Sequence, residues 1–470
     1  MDYDITLVNP YSIEQEKRAH SELDVYPPVG ILYLASFLLS RGVRVKVIDG
    51  TFQTFDALCD AVKNHSSPVV GVTANLITAK RALRLVKFAS DLGLDVIAGG
   101  PDPALRPQAY LDTGASAVFL GEGEEALLEY LQRRAAGEGA ESKDTKDIAG
   151  IQYANGPPAR PGVFIEDLDQ LPAPDFSLID IEAYLRFGRE NGNVSSLPIL
   201  SARGCPFKCT WCAKPIFGSN YRMRGSDSFV DEFEKTVTTF RPDQIRILDD
   251  VFTLNKKRTV AICREIIRRK IKVQFECLAR IDSLDRERLT LLKEAGCVRI
   301  WCGIESGSQF ILDKMKKGIR VEQSREIAHM IHECGIELAS YIMLGYPGET
   351  AKHVLETISL LDEIRPDKLS VSIAYPLPGT EFYEDVRDRI TTAGPWNYTN
   401  EYPIAYKREY VDIYYKLARL LLYQHWKRRK RREDGRLFSK GLSYLAEKSL
   451  DSGFALVCRI SRWRMPQETT

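Results

Sequence analysis

Short apolar segments alternate with longer amphipathic segments along most of the chain. After residue 190, six apolar segments have the length and composition of β-strands. They span residues 197–201, 244–248, 272–277, 298–302, 337–344 and 368–374. Between them, helical spacing of apolar residues covers 226–240, 257–270, 285–295, 321–334 and 351–364. Strands that alternate with crossover helices predict a parallel sheet covered by helices.

The first 135 residues repeat this alternation as a separate unit. Strands are predicted over 5–8, 43–48, 69–72, 95–98 and 117–120, with helices over 29–41, 55–64, 78–92 and 124–133. This order predicts an open doubly wound sheet, which binds ligands beyond the carboxyl ends of its strands. We therefore predict an α/β protein whose four segments are 1–135, a linker over 136–190, a second α/β domain over 191–384 and a mainly helical region over 385–470.

Composition and charge limit the kinds of partner and the cellular compartment that the sequence predicts. A net charge of +1 gives no overall field for nucleic acid, and the sequence contains neither a signal-peptide pattern nor an apolar run of transmembrane length. The ten cysteines show no pairing rhythm, which favours a reducing, cytoplasmic location. A basic block over 427–432 is compatible with a nucleic-acid or membrane contact, but a solvated helix end explains it more simply.

Three cysteines stand close together within residues 201–214. They are Cys205, Cys209 and Cys212, and no further cysteine or histidine nearby completes a set of four ligands. A structural zinc site closes its tetrahedron with four protein ligands. Three thiolates at these intervals instead suit an iron–sulfur cluster with one uncovered iron.

This cysteine spacing, directly after the apolar stretch 197–200 and with Trp211 before the third cysteine, resembles the signature of the radical S-adenosylmethionine (radical SAM) superfamily. The resemblance implies a [4Fe-4S] cluster whose open iron chelates SAM. It also implies an electron donor, such as a flavodoxin, a ferredoxin or another reductase. One-electron reduction of SAM then yields a 5'-deoxyadenosyl radical that abstracts hydrogen from carbon. The fold implied for 191–384 is a partial (β/α)6 barrel.

Polar residues follow several of the predicted barrel strands. By family resemblance Glu305 and Ser306 are candidates for the SAM ribose and Arg280 for the SAM carboxylate, while Asp250 is placed near the SAM amino group or the substrate. The alternative is helix capping, because acidic and hydroxyl side chains commonly open the helix after a strand.

The strand ends of residues 1–135, together with 26–34, resemble the cobalamin-binding domain found in one large radical SAM subfamily. Gly99 and Gly100 would let backbone approach the corrin, and Thr73 and Asn75 would line its lower face. The motif Asp-x-His-x-x-Gly is absent, so no histidine is visible to ligate cobalt. Two alternatives stay open: ordinary turn chemistry at these residues, and a domain that has kept the fold without the cofactor.

The predicted function is radical SAM chemistry on an unactivated carbon of a small molecule, such as a secondary metabolite of antibiotic biosynthesis. Cobalamin-dependent C-methylation is the first reaction that the sequence predicts. The alternatives are dehydration of a sugar diol or oxidative ring closure with cobalamin absent or silent, and, from another class, a noncatalytic cobalamin or redox sensor. The substrate, the hydrogen donor and the oligomeric state are not specified by the sequence.

Overall fold

The computed structural model describes residues 2–13, 25–65, 67–136, 147–154, 156–191, 194–214, 216–391 and 405–433. The chain divides into two compact units. Unit one comprises Met1–Pro206, Lys214–Asp250 and Ile271–Gln274. Unit two comprises Phe207–Ala213, Val251–Lys270 and the described residues from Phe275 onward.

The first sheet lies in unit one and has six strands in the order β2-β1-β3-β4-β5-β6. The strands are β1 (Ile5–Asn9), β2 (Val45–Asp49), β3 (Val69–Thr73), β4 (Asp95–Gly99), β5 (Ala117–Phe119) and β6 (Ile151–Tyr153). Strands β1 to β5 are parallel, and β6 joins β5 in antiparallel register. The order reverses at β1, which is the switch point of a doubly wound sheet. Strand β6 falls in the segment predicted as a linker.

Seven helices accompany this part of the chain. They are α1 (Val29–Ser40), α2 (Phe55–Lys63), α3 (Ala79–Asp91), α4 (Pro101–Leu105), α5 (Pro107–Leu111), α6 (Glu124–Ala135) and α7 (Ile181–Glu190). Apolar side chains of the strands and of α2 and α3 form one buried core. Helices α4 and α5 have five residues each, too few for the periodicity that predicts a helix.

The second sheet also has six strands, in the order β14-β13-β12-β11-β10-β7. The strands after β6 are β7 (Ser196–Ile199), β8 (Ala202–Arg203), β9 (Arg222–Met223), β10 (Gln244–Ile247), β11 (Gln274–Ala279), β12 (Cys297–Glu305), β13 (Glu337–Leu344) and β14 (Lys368–Ile373). Strands β8 and β9 form a separate antiparallel hairpin. The six strands predicted for this sheet all occur, and the predicted α/β fold class is confirmed.

Helices lie between these strands, and the last two follow β14. They are α8 (Ser226–Phe240), α9 (Lys256–Arg268), α10 (Arg286–Glu294), α11 (Gln309–Lys314), α12 (Val321–Glu333), α13 (Ala351–Ile364), α14 (Glu381–Asp385) and α15 (Asp412–Glu433). Asn255 and Asp285 accept backbone hydrogen bonds at the starts of α9 and α10, which satisfies amides that have no partner within the helix. In the described ranges, no helix combines the length and the apolar character needed to cross a bilayer.

Candidate functional site

A cavity of about 360 Å³ lies within unit one, at the carboxyl ends of β3, β4 and β5. Its apolar lining includes Leu7, Val72, Ile97, Phe119 and Phe217. Thr73, at the end of β3, also lines it, and its contact with a ligand stays a prediction. The glycines that line it are Gly30, Gly71, Gly99, Gly100, Gly121 and Gly123. Doubly wound sheets bind ligands at this position, beyond the switch point.

Several of these glycines leave space that a side chain would fill. A Cβ atom at Gly30 would meet nothing within 4 Å, and one at Gly99 would meet only Phe119 Cβ, at 3.7 Å. A Cβ at Gly123 would stay 3.8 Å from Leu34. A broad, flat ligand could therefore lie directly on this backbone, which fits the corrin ring of cobalamin. None of the described histidines lines the cavity.

Two of the residues assigned to cobalamin by sequence serve the local turns. Gly100 has φ +105°, and a Cβ there would lie 2.6 Å from the Ala74 carbonyl oxygen. Its glycine is thus required by the chain itself, whether or not a ligand approaches. Asn75 is not among the cavity-lining residues. Its side-chain oxygen accepts hydrogen bonds from the amides of Ile77 and Thr78, at 2.9 and 3.0 Å.

A buried group of four charges borders the cavity. Arg203 donates to Glu124 at 2.6 Å, and Arg222 donates to Glu122 at 2.7 Å. Arg203 also lies 3.5 Å from Glu122. The pairing offsets much of the desolvation penalty of burying these charges beside an apolar cavity. Sequence reasoning missed this group, because the partners are separated by about eighty to one hundred positions.

Asp249 and Asp250, which follow β10, have different surroundings. Asp249 is buried and accepts the amides of Ser201 and Ala202, at 2.6 and 3.0 Å. It therefore fixes the chain at the exit of β7. The Asp250 side chain is exposed, yet loss of solvent contact and then the charge of Asp249 raise its pKa, while Lys214 acts in the opposite direction. Asp250 is thus an accessible carboxylate that a cationic or proton-donating group would stabilise.

The three cysteines of the 201–214 segment are thiols with partial or full exposure. In unit one, the Cys205 amide donates to the Gly218 carbonyl and Lys214 Nζ donates to the Cys205 carbonyl, at 3.3 and 2.8 Å. In unit two, the amide of Cys212 donates to the Cys209 carbonyl at 3.2 Å. Throughout the described ranges, no three histidine, cysteine or acidic side chains lie within reach of one metal ion. The triad has the donor chemistry of a cluster site, and its role stays a prediction.

Five other described cysteines are buried. Four of them lie near one another in unit two, and burial or a neighbouring thiol raises the pKa of at least three. The four are Cys263, Cys277, Cys297 and Cys302. Cys263, Cys277 and Cys302 therefore stay protonated and behave as core residues.

The segment between Cys209 and Cys212 is held by other parts of unit two. The Thr210 amide donates to the Met315 carbonyl at 3.1 Å, and the Thr210 hydroxyl lies 2.5 Å from the Tyr346 hydroxyl. Arg280, buried after β11, is paired with Asp282 and has Nη1 3.9 Å from Cys209 Sγ. These contacts fix the backbone on which two of the predicted ligands stand.

Glu305 ends β12 in an unusual conformation. Its φ is +65°, and the register with β13 shifts between Gly303 and Glu305. The buried carboxylate accepts a hydrogen bond from Lys317 Nζ at 2.8 Å, and the same ammonium group lies 5.3 Å from the ring centroid of Trp211. Such strain in a buried residue often marks a functional position. Lys317, which the sequence did not single out, thus links the predicted SAM residue Glu305 with the cysteine segment.

Ser306 has a different environment from Glu305. Its side chain is fully buried, its hydroxyl lies 3.3 Å from the Thr357 hydroxyl, and it accepts the Ser308 amide at 3.1 Å. These contacts stabilise the loop before α11. Its predicted contact with the SAM ribose stays untested.

A second polar centre, missed by sequence reasoning, lies where β13 and β14 end. Glu349 is fully buried, and one of its oxygens accepts the Gly345 amide while the other has no hydrogen-bond partner among the described residues. Burial raises its pKa to about 8. Tyr406 donates to the Gly345 carbonyl, and Arg408 donates to the Ala374 carbonyl at 2.7 Å. The segment before α15 therefore closes over these strand ends with a neutral carboxyl group beneath it.

Two family models match separate parts of the chain. The model of the radical SAM superfamily matches residues 199–361, and that of the B12 binding domain matches residues 19–131. An uncharacterized methyltransferase of Pyrococcus horikoshii is 29% identical over 368 residues, covering 76% of this chain and 78% of that protein. The anaerobic magnesium-protoporphyrin IX monomethyl ester cyclase of Rubrivivax gelatinosus is 27% identical over 380 residues, covering 78% and 67%.

Solved structures show the same combination of domains. The radical S-adenosylmethionine methyltransferase TsrM from Kitasatospora setae, determined with cobalamin and a [4Fe-4S] cluster, superposes with a TM-score of 0.69 at 21% identity and covers 86% of this chain and 78% of its own. The cobalamin-dependent S-adenosylmethionine radical enzyme OxsB with aqua-cobalamin gives a TM-score of 0.73 at 18% identity, covering 97% and 72%. At these identities the likeness establishes the fold.

Proposed function

The chain combines a radical SAM domain with a B12-binding domain, and from this premise we propose that it is a methyltransferase acting on an unactivated carbon of a small molecule. It is an enzyme of the radical SAM type, with a [4Fe-4S] cluster, SAM and cobalamin as cofactors. The observation that carries the proposal is the cavity of unit one. A glycine-lined, mainly apolar cavity at the switch point has the form that a corrin requires.

Different residues of the chain would bind the cluster, cobalamin and SAM. When bound, the cluster supplies the electron that cleaves SAM, and cobalamin carries the methyl group. Cys205, Cys209 and Cys212 would hold the cluster. In unit one, the glycine backbone and Thr73 would bound the corrin. In unit two, the buried Glu305 would accept hydrogen bonds from the SAM ribose.

The relatives favour methyl transfer over the other radical reactions. The Pyrococcus horikoshii relative is named a methyltransferase, and a bacteriochlorophyllide d C-12(1)-methyltransferase of Chlorobaculum tepidum is 24% identical over 328 residues. Oxidative ring closure is the second candidate, because the similarity to the Rubrivivax gelatinosus cyclase extends over 78% of this chain.

We further infer that a flavodoxin, a ferredoxin or another reductase in the cytoplasm supplies the electron. The exposed thiol triad supports a reducing location, since exposed thiols oxidise readily elsewhere. A secondary metabolite is the substrate class that we propose.

Corrinoid content and methyl labelling test the proposal without a known substrate. Protein purified with hydroxocobalamin supplied should retain about one corrinoid per chain. After anaerobic incubation with a reductant and SAM labelled in its methyl group, label should appear on the bound corrinoid. Deoxyadenosine formation without any retained corrinoid would refute methyl transfer through cobalamin and leave the cyclase as the leading function.

A further inference from the structure

Arg280 is held in one orientation within unit two. It follows β11 and is 5% exposed. Its Nε and Nη2 atoms donate to the two carboxylate oxygens of Asp282, each at 2.9 Å, and Nη2 also donates to the Lys317 carbonyl at 2.6 Å. A guanidinium group fixed by such a fork has little freedom to turn.

The remaining nitrogen of Arg280 faces the cysteine segment. Nη1 lies 3.9 Å from Cys209 Sγ, within the distance of a long N–H···S hydrogen bond. The guanidinium carbon lies 3.6 Å from the ring centroid of Phe207, two positions before Cys209. The aromatic ring therefore covers the guanidinium group and holds it beside the sulfur.

The contacts of Arg280 argue against its predicted role on the SAM carboxylate. A carboxylate is bound best by two parallel N–H donors, and Asp282 already occupies the Nε and Nη2 pair. The free donor direction ends at the sulfur of a predicted cluster ligand.

Resting on the proposed function, in which Cys209 is a cluster ligand, we propose that Arg280 is a positioning residue that sets the reduction potential of the cluster. A fixed cation and an N–H donor beside a ligand sulfur stabilise the more negative, reduced state of an iron–sulfur cluster. Asp282 is then the counter-charge that limits this effect.

A redox titration followed by electron paramagnetic resonance, on the full chain reconstituted anaerobically and without SAM, tests this role. Arg280→Gln should shift the equilibrium at least tenfold toward the oxidised state, which is 59 mV for a one-electron couple. Asp282→Asn should shift it in the opposite direction, and Arg280→Lys should lie between Arg280→Gln and the wild type. Arg299→Gln is the matched control, because Arg299 also pairs with carboxylates in unit two, at 2.6 and 2.9 Å.

Opposite shifts in the Arg280 and Asp282 variants would support the proposal. Wild-type potentials in both variants would overturn it, as would weakened SAM binding in Arg280→Gln at an unchanged potential, since that result assigns Arg280 to the SAM carboxylate. If Arg280→Gln assembles no cluster, the potentials of Arg280→Lys and Asp282→Asn test the proposal instead. Opposite shifts in these two variants would support it, and wild-type potentials in both would overturn it. A wild-type chain that assembles no cluster would instead refute the proposed function.

Discussion

Glycine serves two different purposes at the cavity of unit one. Gly100 is demanded by its own backbone, so a substitution there would test the turn and not the ligand. Gly30 has a negative φ and open space at its Cβ position, and it lines the cavity on α1. We expect Gly30→Trp to lose bound corrinoid, because the indole ring would enter the volume that the corrin needs.

Gly30→Ala is the matched variant, because its single methyl group meets nothing within 4 Å. It should retain corrinoid and leave thermal stability unchanged or slightly raised, since alanine favours the helix. Corrinoid absorbance per chain measures both variants. Full corrinoid binding by Gly30→Trp would show that this cavity is not the cobalamin site.

Glu305 and Lys317 form a buried pair whose two members cannot be removed singly without cost. Lys317→Met leaves a buried carboxylate unpaired, so we expect a loss of about 3–5 kcal/mol in unfolding free energy. Adding Glu305→Gln to that variant should recover much of the loss. Urea unfolding of the cluster-free protein measures this double-mutant cycle, and additive losses would contradict it.

Glu305→Gln by itself should weaken SAM binding about tenfold, the equivalent of one hydrogen bond to a charged group. Glu276→Gln is its control, because Glu276 is a buried acid paired with Arg299 at 2.9 Å in the same unit. That variant should lose stability and keep its SAM affinity. Equal losses of SAM affinity in both variants would reduce Glu305 to a structural role.

Glu349 gives the protein a predictable response to pH. The native carboxyl group keeps its proton up to a pKa of about 8, whereas the unfolded chain releases it near 4.5. Between these values the native state binds more protons, so stability falls as pH rises, by roughly 1.4 kcal/mol per pH unit at most. We expect Glu349→Gln to gain stability over wild type steadily from pH 5 to pH 8 in urea unfolding. A constant difference across that range would show that Glu349 is ionised in the native protein.

At the scale of elements, the ends of strands were less predictable than their existence. Strand β7 was predicted to continue to Ser201 but ends at Ile199. The cause is tertiary, because the Leu200 amide donates to the Tyr33 hydroxyl and the Ser201 amide to Asp249. Side chains from elsewhere in the chain thus replace the sheet as hydrogen-bond partners, which apolar periodicity does not register.

The basic end of α15 binds the protein itself. Arg429 donates to the carbonyls of Leu361 and Pro366, at 2.6 and 3.3 Å, and Lys430 pairs with Asp367 at 2.6 Å. Arg429 thus satisfies carbonyl groups at and beyond the last turn of α13, where a helix attracts positive charge. The predicted solvated helix end is therefore partly engaged with unit two.

This engagement can be measured by hydrogen exchange. Arg429→Ala should weaken the docking of α15 by about 1–2 kcal/mol and raise the exchange of its backbone amides. Lys427→Ala is the control from the same block, because the Lys427 side chain is exposed. Equal amide exchange in the two variants would show that Arg429 does not hold α15 in place.

At the scale of the whole molecule, the fold and the cofactor chemistry could be predicted from the sequence. The side-chain pairs that form between distant parts of the chain could not. Alternating periodicity predicted both parallel sheets, and the cysteine spacing predicted the superfamily that the family model confirms. Lys317 and the Arg203–Glu124 pair had no local signal, because their roles depend on contacts made only after folding. Strand β6 was missed because it lies in a segment rich in glycine, alanine and charged residues, a composition that predicts a linker.

The burial of Cys263, Cys277, Cys297 and Cys302 has a practical consequence for any measurement of iron. Thiols packed in a folded core cannot scavenge iron or sulfide while a cluster is rebuilt in vitro. Among the described cysteines outside the triad, only Cys334 is even partly accessible. One quarter of the ratio of tightly held iron to protein should therefore equal the fraction of molecules carrying a [4Fe-4S] cluster, and in the native protein an alkylating reagent should label the triad ahead of the core thiols.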